Sequence, residues 1–206
     1  MTLDPVCWLG HASFRIDDPR GRVYIDPWKL TGDPPPADLV LITHAHYDHF
    51  SPDDIRRIRT PTTLICCTAD VAKALQGSLT VVKPGGTYRV GEWDVETVAA
   101  YNVGKEFHPQ RNGWVGYLFT LSDGRRVFHS GDTDALPHHD TIRADIALLP
   151  CGGTYTMNAD EVGALGNRMK PTTLVPMHWG DIVGTREDAE RVKKLYPATV
   201  ILSAGG

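Results

Sequence analysis

Leu39-Val40-Leu41-Ile42-Thr43 runs directly into His44-Ala45-His46-Tyr47-Asp48-His49, and the reading of the whole chain turns on this stretch. Its apolar half has the pattern of a strand buried on both faces. Three imidazoles and a carboxylate follow where that strand ends, the place where α/β folds put their sites and where a rigid element can hold them. In extended or turning backbone, alternate residues point the same way, so His44 and His46 can reach one ion. Asp48 and His49, beyond a bend, can turn toward a second. Imidazole with carboxylate suits zinc, manganese or iron, and the lack of a nearby cysteine argues against a closed structural zinc site. Solvated turn histidines are the plain alternative. So dense a cluster, outside any charge run, points instead to metal binding.

Working outward, residues 6–9, 13–16 and 23–25 are short strand candidates, the last two separated by the turn Asp17-Asp18-Pro19-Arg20-Gly21. Pro34-Pro35-Pro36 is too short for a linker and reads as a rigid loop. Ser51 as N-cap, Pro52 at the first helical position and the early acids Asp53 and Asp54 predict a helix through about Ile58. Strand 62–67, helix 68–75 and strand 79–82 follow. The middle is mostly β, with strands 87–90 and 93–101 and a hairpin of 114–121 with 126–130 turning at Ser122-Asp123-Gly124. Alternation returns with strand 145–149, helix 158–169, strand 173–177, helix 186–196 and strand 199–202. Strands outnumber helices and the helices fall in two groups, which predicts helices packed outside a β core.

The chain's 206 residues predict one domain spanning 1–206. With 41% hydrophobic and 22% charged residues it can bury a core, which excludes disordered and fibrous classes. A net charge of −4 argues against a nucleic-acid partner, since gripping phosphates takes clustered Lys and Arg. No apolar run of about 18 residues exists, so no membrane span is expected. Met1-Thr2-Leu3-Asp4-Pro5 has neither the basic start nor the apolar run of a signal peptide. Cys7, Cys66, Cys67 and Cys151 are too sparse for a disulfide framework. Cys66 and Cys67 read as reduced, buried thiols, and the expected compartment is cytoplasmic. Cys151, without an identifiable partner, reads as structural.

His44-Ala45-His46-Tyr47-Asp48-His49 resembles the H-x-H-x-D-H signature of the metallo-β-lactamase superfamily. Ser130-Gly131-Asp132-Thr133 is similar to its G-D-T segment, and Val175-Pro176-Met177-His178-Trp179-Gly180 to its last metal-binding histidine. Tyr101-Asn102, Phe107-His108-Pro109 and Gly113-Trp114-Val115-Gly116-Tyr117 resemble the middle-histidine segment of the branch containing ascorbate-phosphate lactonase, as do Trp8-Leu9-Gly10-His11-Ala12 and Ile25-Asp26-Pro27. The resemblance covers almost the whole chain. It implies an α/β (α+β) four-layer αβ/βα sandwich of two mixed sheets flanked by helices. It also implies two divalent ions, zinc first with Mn2+ or Fe2+ as alternatives. His44, His46 and His108 would hold one ion, Asp48, His49 and His178 the other, and Asp132 would bridge. The implied activity is hydrolysis of a small ester, lactone or phosphodiester by a hydroxide shared between the ions, with Asp48 as the catalytic carboxylate.

Taken singly, Asp132 could be a turn residue and His178 a core or loop histidine; chain order favours a ligand for Asp132, and the Pro176-Met177-His178-Trp179-Gly180 context does so for His178. His108 has rivals in His129, which reads as a satisfied core histidine, and in His138-His139, which read as solvated. His11 and Asp26 could orient ligand imidazoles or simply serve a hairpin and a strand-end turn. Trp28, Tyr47, Arg111, Tyr155 and Trp179 could shape a pocket, although packing or exposure is the better reading for each. The short tail after His178 has room for one helix and a closing strand, which argues against the nucleases and glutathione-thioester hydrolases of the superfamily. The di-iron oxygen reductases of similar fold carry an acid where His46 stands. A non-catalytic, metal-dependent sensor or binding module is the alternative class, and the complete ligand set speaks against it.

Overall fold

The computed structural model describes residues 3–205. Met1 and Thr2, on which part of the signal-peptide reading rests, lie outside the described residues. Six strands build the first sheet in chain order: β1 (Val6–Gly10), β2 (Ser13–Asp18), β3 (Gly21–Ile25), β4 (Leu39–Ile42), β5 (Leu64–Thr68) and β6 (Leu79–Val82). β1 to β3 pair antiparallel as hairpins, and β3 to β6 pair parallel. The second sheet repeats this plan. β7 (Thr87–Val90), β8 (Trp93–Ala99), β9 (Val115–Thr120) and β10 (Arg126–His129) pair antiparallel, and β11 (Ile146–Pro150) and β12 (Thr173–Met177) extend it in parallel.

β4 shows why both faces of the first sheet are covered. Leu39 and Leu41 join the cluster shared between the sheets, with Phe14, Phe119 and Phe128. Val40 and Ile42 point the other way, to Ile55 and Ile58 of α1 (Pro52–Ile58) and Val71 of α2 (Ala69–Ala72). The two-residue period of a strand thus divides one apolar run between two cores. α3 (Ala159–Met169) and α4 (Arg186–Leu195) cover the second sheet through Val162, Leu165 and Val192. The result is the four-layer αβ/βα sandwich. Among the described residues no helix is long and apolar enough to cross a membrane.

Local signals act as expected where capping decides. Ser51 Oγ accepts from the Asp54 amide at 3.2 Å, and Asn158 and Glu161 close a reciprocal capping box on α3. Two elements differ from the sequence reading. The helix expected over 68–75 is regular only over Ala69–Ala72 and continues as turns. The strand expected over 199–202 makes one isolated bridge, Thr199 to Leu174, because the Thr199 hydroxyl and amide turn back to the Tyr196 carbonyl. The sequence reading also missed two short 3-10 turns, Gln110–Asn112 and Pro137–Thr141.

Candidate metal centre

The end of β4 delivers His44. The chain then turns tightly, the amides of His49 and Phe50 donating to the His46 carbonyl at 3.0 and 2.8 Å. This turn puts His46, Asp48 and His49 on the same side. The opposite sheet supplies the rest: Asp132 follows β10, His178 follows β12, and His108 lies on the loop between β8 and β9. Among the described residues seven non-glycines have positive φ, and four of them, His11, Asp26, His108 and His178, ring this centre. Left-handed backbone costs such residues about 1–3 kcal/mol, strain that typically collects at functional sites.

All seven residues named as metal ligands from the sequence come together. His46 Nδ1 lies 3.1 Å from both His44 Nε2 and His108 Nε2, and His108 Nε2 is 3.2 Å from Asp132 Oδ2. On the other side, His178 Nε2 is 3.0 Å from Asp132 Oδ2, and His49 Nε2 is 3.3 Å from Asp132 Oδ1. Asp48 Oδ2 is 3.6 Å from each of these two imidazole nitrogens. Asp132 therefore touches both groups.

The spacing fits divalent ions. Donors about 2.0–2.2 Å from a tetrahedral ion stand roughly 3.3–3.6 Å apart. The donor chemistry agrees. His49 Nδ1 donates to Asp26 at 2.7 Å, His44 Nδ1 to the Thr43 hydroxyl at 2.9 Å and His108 Nδ1 to the Tyr155 carbonyl at 3.1 Å. Each of these bonds leaves Nε2 bare and turned inward, the support that ligating histidines need. His49 Nε2, His178 Nε2 and Asp132 Oδ1 are buried without a hydrogen-bond partner in the protein, a costly state that a cation would relieve.

Electrostatics divides the two groups. Burial, reinforced by the neighbouring His49, holds His44 well below the usual histidine range, and burial lowers His46 too. Burial opposes charge on His49 and His178 as well, but there the carboxylates win. Asp132 and Asp26 drive His49 well up, and Asp132 and Asp48 raise His178 to about 9. Asp48, through His11 and His178, and Asp132, through His178 and His49, overcome burial and are held far below the usual carboxylate range.

His11 and Asp26 both belong to this centre. His11 Nε2 lies 3.1 Å from Asp48 Oδ2, its ring is 3.9 Å from that of His178, and its carbonyl accepts from the His178 amide at 2.8 Å. His129, the first rival of His108, is satisfied inside β10: Nε2 donates to the Ala12 carbonyl and Nδ1 accepts from the Gly131 amide. His139 corrects the sequence reading. It is fully buried rather than solvated, because the 3-10 turn at Pro137–Thr141 folds it against Phe128.

Tyr47 and Tyr155 line the mouth of the centre, whereas Trp28 and Trp179 are packed and Arg111 is exposed. The sequence reading gave no individual role to Thr43, Asn102 or Trp114. Asn102 donates to the Phe107 and Tyr155 carbonyls, and the Trp114 ring lies 4.7 Å from both His44 and His46. Thr43 adjoins His44 and so carried a signal. The contacts of Asn102 and Trp114 are made only through loop closure. Burial pushes Cys66 up to about 12 and Cys67 to about 11, and raises Cys151 as well, so these thiols stay protonated and inert.

Two facing mixed sheets with an Asp/His cluster at their shared edge define a metal-dependent hydrolase of the metallo-β-lactamase fold. The family described as the beta-lactamase superfamily domain matches residues 5–178, and the chain belongs to it. It is 32% identical to the UPF0173 metal-dependent hydrolase of Thermococcus onnurineus (strain NA1), covering 92% of this chain and 91% of that one. It is also 32% identical to the protein of the same name from Archaeoglobus fulgidus, covering 94% and 90%. A crystal structure of a protein from Parabacteroides distasonis ATCC 8503 superposes with a TM-score of 0.83 at 28% identity, covering 96% of this chain and 93% of that chain.

Proposed function

We propose that the chain is a dinuclear hydrolase of small ester, lactone or phosphodiester substrates, built as one domain over 1–206. His44, His46 and His108 would hold one ion, Asp48, His49 and His178 the second, and Asp132 would bridge them. Zn2+ suits this donor set best, with Mn2+ or Fe2+ as alternatives. The observation that carries the reading is that Asp132 lies within 3.0–3.3 Å of members of both donor groups, His108 of one and His49 and His178 of the other.

When bound, the ions would supply an activated water and polarise the scissile oxygen. The chain's own residues do the rest. Asp48 lines the cavity with its Oδ2 held by His11, which keeps a carboxylate beside the reacting groups, where we assign it to orient the attacking water and relay its proton to the leaving group. Asp26 fixes His49 and, through Thr43, His44. The packed Trp114 ring keeps His44 and His46 in register.

His46→Ala tests the assignment. Metal content measured by plasma emission should fall and turnover of a phosphodiester, lactone and thioester panel should be lost, as should turnover after chelation. Wild-type metal content in that variant would overturn the ligand assignment. A metal-loaded wild-type protein that cleaves nothing on the panel would favour the sensor alternative.

A further inference from the structure

The cavity above the centre has a volume of about 200 Å³. Its floor is His46, Asp48, His108, Asp132 and His178, and its walls are Tyr47, Phe107, Tyr155 and Ile182. Among the described residues no lysine or arginine lines it. Two cations near the opening are engaged elsewhere, Lys29 with Asp181, the neighbour of Ile182, and Lys105 with Asp134, while Arg111 is exposed and outside the lining. Tyr47 is 67% exposed, Phe107 43% and Ile182 37%, so among the described residues three of the five large hydrophobic side chains most open to water surround this one opening. Exposed apolar surface costs about 25 cal/mol per Å², and gathering it at a mouth marks a ligand groove. Phe107 and Tyr155 meet edge to face, centroids 4.9 Å apart at 79°, leaving a right-angled wall on which a third ring can stack. A cavity of roughly 150 Å³ already takes benzene.

Resting on the hydrolase reading above, we infer that the substrate is an uncharged carboxylic ester or lactone bearing a flat apolar group, seated between Tyr47, Phe107, Tyr155 and Ile182. A phosphodiester or phosphorylated substrate brings permanent charge, which hydrolases and transferases of phosphoryl groups meet with lysine or arginine as well as metal. Here no lysine or arginine lines the cavity to answer that charge outside the metal centre, and the largely apolar walls would desolvate it. A carbonyl brings none. In the reaction, water forms the new acyl C–OH bond, the acyl C–O bond breaks, and the water proton ends on the departing alkoxide; nothing is oxidised or reduced.

The test uses the zinc-loaded full-length protein with benzyl acetate, methyl acetate and 4-carboxybenzyl acetate, whose leaving alcohols are similarly reactive. Benzyl acetate should exceed each of the others about tenfold in kcat/KM, mainly through KM. Phe107→Ala should bring the benzyl-to-methyl ratio near one with metal content retained, and Ile182→Lys should shift preference toward the carboxylate ester. Equal rates for the three esters, preference for the charged one, or an unchanged ratio in Phe107→Ala would overturn the substrate class while leaving the hydrolase reading intact. If no ester is cleaved, that reading falters, and calorimetry with N-benzylacetamide and 4-(acetamidomethyl)benzoate decides the pocket separately. Tighter binding of the neutral amide, weakened in Phe107→Ala, supports the inference; equal binding, or none, overturns it.

Discussion

Asp26 Oδ2 accepts a hydrogen bond from His49 Nδ1 at 2.7 Å, and neither side chain is exposed to solvent. The same oxygen accepts from the Thr43 hydroxyl at 2.7 Å, and that hydroxyl accepts from His44 Nδ1. One carboxylate just after β3 therefore orients an imidazole from each donor group. It holds this place through backbone too, its amide donating to the Leu41 carbonyl at 2.9 Å and its second oxygen accepting from the Thr43 amide at 2.8 Å.

Asp26→Asn should weaken metal binding 10–100-fold, the usual effect of losing a partner of a ligating histidine. Asparagine keeps the shape but sets an amide NH2 among donors that need an acceptor. Competition against a chromogenic chelator measures the change. An unaltered affinity would remove Asp26 from the centre's support.

Acid should destabilise the fold through His139. Burial, with a smaller push from His138, lowers this histidine to about 3, against about 6.5 in an unfolded chain. Between those values the unfolded state binds the extra proton. Stability is therefore unaffected above pH 6.5 and falls as pH drops toward 3, by about 1.4 kcal/mol per unit at most. Thermal midpoints from pH 7 to pH 4 should fall less steeply in His139→Gln. Parallel slopes would show that other groups govern the acid limb.

Gly116 on β9 faces the strand end that carries Asp132. A Cβ there would stand 2.7 Å from the His129 and Ser130 carbonyl oxygens, backbone atoms that can yield only by moving the Gly131-Asp132 turn. Gly116→Ala should cost about 1–3 kcal/mol, the usual cost of overpacking. That corresponds to a fall of roughly 2–12 °C in melting temperature for a chain of this size. Because the displaced turn presents Asp132, metal affinity should drop as well. Calorimetric melting with and without added zinc reads both effects, and wild-type values for both would refute the close approach.

Much of this centre is legible in the chain itself. His44, His46, Asp48 and His49 can be read from spacing alone, because a strand end and one tight turn fix them relative to each other. The helix starts at Ser51 and Asn158 are legible for the same reason: a cap is satisfied by residues three positions away. His108 is different. It lies on an irregular loop, and its orientation depends on the Tyr155 carbonyl, 47 positions further along the chain. Resemblance could name it where local physics could not. The burial of His139 is illegible locally because burial is a tertiary property: the residues around it look like a polar loop until the turn packs against Phe128. The closing strand over 199–202 has the right residues for pairing, but its ladder with β12 stops at one bridge, and the next backbone bond of the tail, from the Gly205 amide, goes to Trp8 of the other sheet.

By itself the sequence determined the buried strands, the caps and the metal-binding character of positions 44 to 49, since each depends on side-chain period or on neighbours within a turn. Tertiary structure decided which distant residues complete the centre, that Asp26 and His11 support it, and that its mouth is apolar and free of cationic side chains. Those properties arise from the pairing of β3 beside β4, which brings Asp26 to His49, and from two sheets meeting face to face, which brings residues 108, 132 and 178 to the same short turn; no local pattern encodes either meeting.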